Sequence, residues 1–106
     1  MKTAELSEKK IDKRTRQIEA ALREHFKLVD AYTQPRSWVI RVRVVDNAFK
    51  GKNADQRENM VFPILETLPK AIQNDVAFLL MATPQELTNG KELQNLEFED
   101  PSPSYL

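Results

Sequence analysis

Between Trp38 and Val45, apolar and basic side chains alternate. Trp38, Ile40, Val42 and Val44 fall on one side of an extended chain, and Arg41 and Arg43 on the other. A period of two does not suit a helix. The segment therefore reads as a strand with one face packed on helices and the other at least partly wet. Asp46 to Asn53 is rich in turn formers, and Gly51 supplies backbone freedom there. Met60 to Ile72 then carries Val61, Ile64, Leu65, Leu68 and Ile72 at helical spacing. Pro63 is awkward inside that helix, because it lacks an N–H and crowds the preceding turn. A main helix starting near Asn59, with 54–58 as a separate short turn, accommodates it. Pro69 marks a kink or the helix end.

The remaining elements follow from the same patterns. Met1 to Lys10 is polar, and a flexible N-terminal segment is expected over 1–10. Ile11, Ile18, Ala21, Leu22, His25 and Phe26 share one helical face, with Lys13, Arg16, Glu19 and Arg23 toward water. Ser7 is a suitable cap. Leu28 to Thr33 reads as a short strand, broken by Gln34-Pro35-Arg36. Asp75 to Thr83 reads as a strand apolar on both faces, with Val76, Phe78 and Leu80 on one and Ala77, Leu79 and Met81 on the other. Thr83 caps a short helix with Pro84 at its first position. Residues 89–106 are expected to form a tail, partly ordered at most. Leu93, Leu96 and Phe98 in that tail could cover the last strand.

Composition narrows the chemistry. The 106 residues suit one domain, expected over 11–88, and 41% hydrophobic content suits a modest core. Sixteen basic residues balance sixteen acidic ones, which does not indicate a strongly basic nucleic-acid binder. No cysteine is present, so this chain contributes no disulfide, thiolate ligand or cysteine nucleophile. His25, the single histidine, cannot alone build a histidine-rich metal site. No apolar run approaches spanning length, and no secretion signal is visible. A soluble, cytoplasmic protein without a membrane role is the expectation. There is no phosphate-cradling glycine loop, no serine elbow and no carboxylate pair spaced for acid–base work. No enzyme activity, catalytic residue, metal ligand or cofactor is expected.

Phe49-x-Gly51, followed by Arg57-x-x-Met60-x-Phe62 and Leu65, resembles the BolA family, as does Thr83-Pro84-x-Glu86-Leu87. The resemblance covers roughly 11–87. It implies an α+β fold, similar to a type II KH domain, in the order helix, strand, strand, turn, helix, strand, helix. A small three-stranded mixed sheet would carry the helices on one face. BolA-like proteins usually show Ser-His-Phe entering the second strand, Arg-His-Arg before the long helix and His-Ala opening the third strand. Here these places hold Trp38-Val39-Ile40, Arg57-Glu58-Asn59 and Asn74-Asp75-Val76-Ala77. The family shares an iron–sulfur cluster with monothiol glutaredoxins through histidine or cysteine at the last place and in the loop before the second strand. Neither place offers imidazole or thiolate here, and only Asp75 could serve as an unusual ligand. A glutaredoxin-linked role is therefore not expected.

Two binding readings remain. A regulatory or adaptor protein, of stress-response type by the resemblance, would meet a protein partner through Trp38, Leu79 and Met81. A KH-like nucleic-acid binder of transcription-regulator type would use Arg41, Arg43, Lys50, Gly51, Lys52 and Arg57, with Arg36 nearby. The plain alternatives are a core-edge tryptophan, a strand covered by the tail, and solvated cations paired with Asp46, Asp55 and Glu58.

Overall fold

The computed structural model describes residues 11–34 and 38–88. Ser7, Arg36 and the segments 1–10 and 89–106, including Leu93, Leu96 and Phe98, lie outside the described residues. The first helix, α1 (Lys13–Arg23), begins at Asp12. The Asp12 carboxylate accepts from the N–H groups of Arg14 (2.9 Å) and Thr15 (3.1 Å), and Thr15 Oγ1 accepts the Asp12 N–H in return. This reciprocal box satisfies three N–H groups at the helix start.

Two antiparallel strands follow, β1 (Leu28–Thr33) and β2 (Ile40–Val45). A 3-10 turn, Asn47–Phe49, leads to α2 (Ala54–Leu65), then α3 (Lys70–Asp75) and β3 (Val76–Ala82). A last helical turn spans 84–88. The sheet order is β1-β2-β3, with β3 parallel to β2. This is the small mixed α+β sheet that the alternation and the resemblance implied. Its core joins Val29, Ala31, Ile40, Val42 and Val44 to Ile18 and Leu22 of α1, to Phe26 just beyond it, and to Val61, Leu65 and Ile72. The helices thus pack on one face of the sheet.

The structure departs from the sequence reading in several details. First, α2 is one helix from Ala54, not a turn followed by a helix from Asn59. Asn53 Oδ1 accepts the Gln56 N–H at 2.8 Å, while Gln56 Oε1 accepts the Asn53 N–H at 2.9 Å. Pro63 sits in the last turn, so only one helical hydrogen bond, to the exposed Asn59 carbonyl, is forgone. Second, β3 carries a register shift: Ile40 faces Val76, but Arg41 faces Phe78. Ala77 is thus an extra residue, and Val76 joins Leu79 and Met81 against the core, leaving Phe78 and Leu80 on the far face.

Third, Glu19 does not face water but is 1% exposed. Its Oε2 accepts the Ala31 N–H at 2.9 Å, and Arg23 donates twice to the Val29 carbonyl (3.1 and 2.8 Å). These two side chains cap the outer edge of β1. His25, placed on the apolar face by spacing, is instead exposed one residue before buried Phe26. Fourth, the far face of the sheet is not wet around Arg43. Arg43 is buried and forks onto Asp30, Nε to Oδ1 at 3.2 Å and Nη2 to Oδ2 at 2.9 Å.

Candidate functional site

Along β2, whose six residues span about 17 Å, Lys50, Gly51, Lys52 and Arg57 lie at the C-terminal end and Trp38 at the N-terminal end, with Leu79 opposite Val42 and Met81 opposite Val44. At the C-terminal end lies the basic turn. Lys50, Gly51 and Lys52 are all exposed, and Gly51 adopts φ +76°, which a side chain would oppose. Phe49 is fully buried and stacks on Phe26 at 5.3 Å.

Arg57 is held inside this end. Its Nε donates to the Lys52 carbonyl (2.8 Å), and Nη1 to the Met81 carbonyl (2.9 Å). Nη1 and Nη2 also fork onto the two oxygens of Glu86 at 2.7 and 2.8 Å, and the guanidinium lies over the Phe49 ring. Glu86 in turn closes the cap of the last helical turn. It accepts the Thr83 N–H at 3.1 Å, and its own N–H donates to Thr83 Oγ1 at 3.1 Å. The hydrogen bonds from Arg57 hold the Glu86 carboxyl at about 2, below its usual 4.5, and the same contact raises the Arg57 pKa. The sequence shows the Thr83–Glu86 cap but not its partner 29 residues away.

A depressed carboxyl stabilises the fold above its unfolded pKa, and this contribution fades as pH falls from about 4.5 to about 2. Glu86→Gln is therefore expected to lower the urea midpoint at pH 6 and to converge on the parent near pH 2. A deficit unchanged across that window would mean that the clamp does not act through charge.

Of the six candidate nucleic-acid residues, only Lys50, Gly51 and Lys52 share an exposed surface. Arg57 adjoins them but is committed to Glu86, and Arg43 is buried against Asp30. Arg41 lies toward the other end, where Gln34 Oε1 accepts from its Nε at 2.8 Å and its guanidinium sits over Phe78.

That N-terminal end of β2 is the apolar one. Trp38 precedes the strand rather than joining its inward face. It adopts φ +62° and is 52% exposed. Left-handed backbone costs an L-residue about 1–2 kcal/mol, and such strain gathers at binding and catalytic sites. Hydrogen bonds between Gln34 and Val39 (2.8 Å) and between Trp38 and Gln34 (3.0 Å) hold the base of the loop. Beside the start of β3 runs an open groove of about 390 Å³, lined by Phe62, Leu65, Glu66, Gln73 and residues 76–79. Phe62 is 43% exposed, one residue away from the buried stripe of α2. Its surplus as an apolar residue outside that stripe was the sequence signal for the groove. Leu79 lines the groove and packs on the core; Met81 packs on the core alone.

No family model matches the chain, and no curated protein does. Two solved structures from Arabidopsis thaliana do. The BolA domain of SufE1 shares 17% identity, covers 72% of this chain and 98% of its own, and superposes with a TM-score of 0.55. The fold is that of a BolA domain. BolA1 agrees at 20% identity, the same coverages and a TM-score of 0.52.

Within this BolA-like fold, the start of β3 can be tested as a cluster site. Arg14 donates to Asp75 Oδ2 at 2.6 Å and to Asp12 Oδ2 at 2.7 Å. Burial opposes ionisation of Asp12, but its hydrogen bonds from Arg14 and Thr15 prevail and lower its pKa; Arg14 is raised, chiefly by Asp12. Asp75 is thus an ion-pair partner rather than an open donor. Among the described residues no group of three or more His, Cys, Asp or Glu could hold a metal. The donor set does not fit an iron–sulfur cluster. None of the described helices is long and apolar enough to cross a membrane.

Proposed function

We propose that this BolA-like chain is a non-catalytic regulatory or adaptor module that binds a protein partner at the N-terminal end of its sheet. The observation that carries the reading is the open groove beside β3, floored by Leu65 and Leu79 with Phe62 standing exposed at its rim. Exposed aromatics beside a concavity are the residues from which binding hot spots are built. The strained, exposed Trp38 at the same end of the sheet supports the reading. Of the cations expected to meet nucleic acid, only Lys50 and Lys52 are exposed together, and Arg43 and Arg57 are engaged by Asp30 and Glu86, so the geometry lends that alternative no comparable surface.

The test is partner capture by the full chain and by Trp38→Ala and Phe62→Asp, both at exposed positions and so expected to fold. Each variant should weaken the captured partner's affinity by about tenfold or more. Partner binding indifferent to both changes would sink the reading. So would binding lost only on changing Lys50 and Lys52.

A further inference from the structure

The edges of this sheet are treated unequally. Main-chain N–H and C=O groups along a free edge invite another strand, and folded proteins usually cover or charge them. On β1 the Glu19 carboxylate meets the Ala31 N–H, and Arg23 meets the Val29 carbonyl. On β3 the Ala82 carbonyl accepts from Asp46 and so faces β2. Alternation turns the main-chain groups of Leu79 and Met81 to the outer edge. Arg57 caps the Met81 carbonyl there. Among the described residues β3 pairs on one side only, and its Leu79 stretch lies along the groove without such a cap.

From this we infer that the β3 edge at Leu79 receives an extended segment of the partner protein as a fourth strand, with apolar side chains in the Phe62–Leu65 groove and basic ones beside Glu66. The inference rests on the protein-binding reading above and names the form of the partner. Main-chain pairing would supply the affinity, and pockets for alternate side chains the selectivity. The bulge at Ala77 ends the regular edge on one side and Arg57 ends it on the other, so the receptive stretch is short. Charge selects the occupant. Glu66 lines the groove with no lysine or arginine among the lining residues. Glu58 lies one helical turn before Phe62 on the same face of α2. A second copy pairing through β3 would offer Val76–Ala82, which brings no basic side chain to Glu66. The segment 89–106 carries Glu92, Glu97, Glu99 and Asp100 against a single Lys91, and its net negative charge would meet like charge at Glu66. A segment alternating valine or leucine with lysine or arginine complements the groove.

The experiment titrates isotope-labelled full chain with a short synthetic peptide alternating valine and lysine, and with its valine–glutamate counterpart. The readouts are amide shifts and hydrogen exchange. The lysine peptide is expected to shift Phe62 and Leu79 and to slow exchange of the Leu79 amide by about tenfold or more. Glu66→Lys should reverse the preference between the two peptides. Shifts confined to Lys50 and Lys52, or an unprotected Leu79 amide at saturation, would overturn the proposal. Protection of that amide without peptide would also overturn it. If that protection depended on concentration, a second copy would be the occupant; otherwise it would be the chain itself. A natural partner that is lost on Phe62→Asp but leaves the Leu79 amide exchanging freely would remove strand addition and leave the protein-binding reading intact. Failure of both exposed variants to affect any partner would remove that reading itself.

Discussion

Replacing Asp30 with alanine is expected to destabilise the domain by about 3–5 kcal/mol. Asp30 is fully buried, and Arg43 beside it is 7% exposed. The two side chains face each other across the β1–β2 pair, joined by hydrogen bonds of 3.2 and 2.9 Å. Removing the carboxylate leaves a guanidinium in a region that water does not reach, and arginine cannot escape the cost by losing its proton. For a domain of this size the loss is a large part of the whole stability, typically about 5–15 kcal/mol. Urea unfolding at neutral pH would measure it. A double replacement, Asp30→Leu with Arg43→Met, should recover most of the loss, because the desolvation cost of both charges disappears together. If Asp30→Ala unfolds within about 1 kcal/mol of the parent, the pair is effectively solvated.

This pair also shows where sequence reading stops. The alternation of Trp38 to Val45 located β2, and Leu28 to Thr33 matched β1 residue for residue, because apolar periodicity is local information. The same alternation assigns Arg43 to water, since nothing near it in the chain reveals Asp30 across the sheet. Glu19 was misplaced for the same reason: its partner is the main-chain N–H of Ala31, a group every residue but proline carries. The start of α2 was legible in principle in Asn53-x-x-Gln56, but the interior proline drew the boundary forward. For β3, a strict period of two could not foresee the bulge at Ala77, which moves Val76 to the core face. The groove was legible only as a hint, Phe62 off its stripe. Its second wall comes from β3, and that juxtaposition exists only after the chain has crossed over.

Phe49→Ala should cost about 3–5 kcal/mol, the range for deleting a buried aromatic. Phe49 leaves the 3-10 turn fully buried, stacks on Phe26 and lies under Arg57. The ring therefore joins the end of the first helical segment, the basic turn and the Arg57–Glu86 clamp. Its loss opens a cavity and removes an aromatic pair worth about 0.5–1.5 kcal/mol beyond burial. Phe49→Leu should recover a substantial part, because leucine refills most of the volume while giving up the stack and the cation–π contact. The clamp supplies a second readout. Without the ring beneath it, Arg57 should hold Glu86 less firmly, and the Glu86 carboxyl should titrate upward from about 2 toward its ordinary value. Carboxyl NMR titration would follow this in the leucine variant, which is expected to remain folded. A Glu86 titration unmoved by Phe49→Leu would show that the ring fills space without orienting the guanidinium. The motif residues Phe49, Gly51 and Arg57 thus account for themselves as architecture: a core plug, a left-handed turn and a tie between α2 and the last helical turn. The surface proposed for partner binding lies at the other end of the sheet, where Trp38 and Phe62 are exposed and where, among the described residues, the Leu79 stretch of β3 carries no cap.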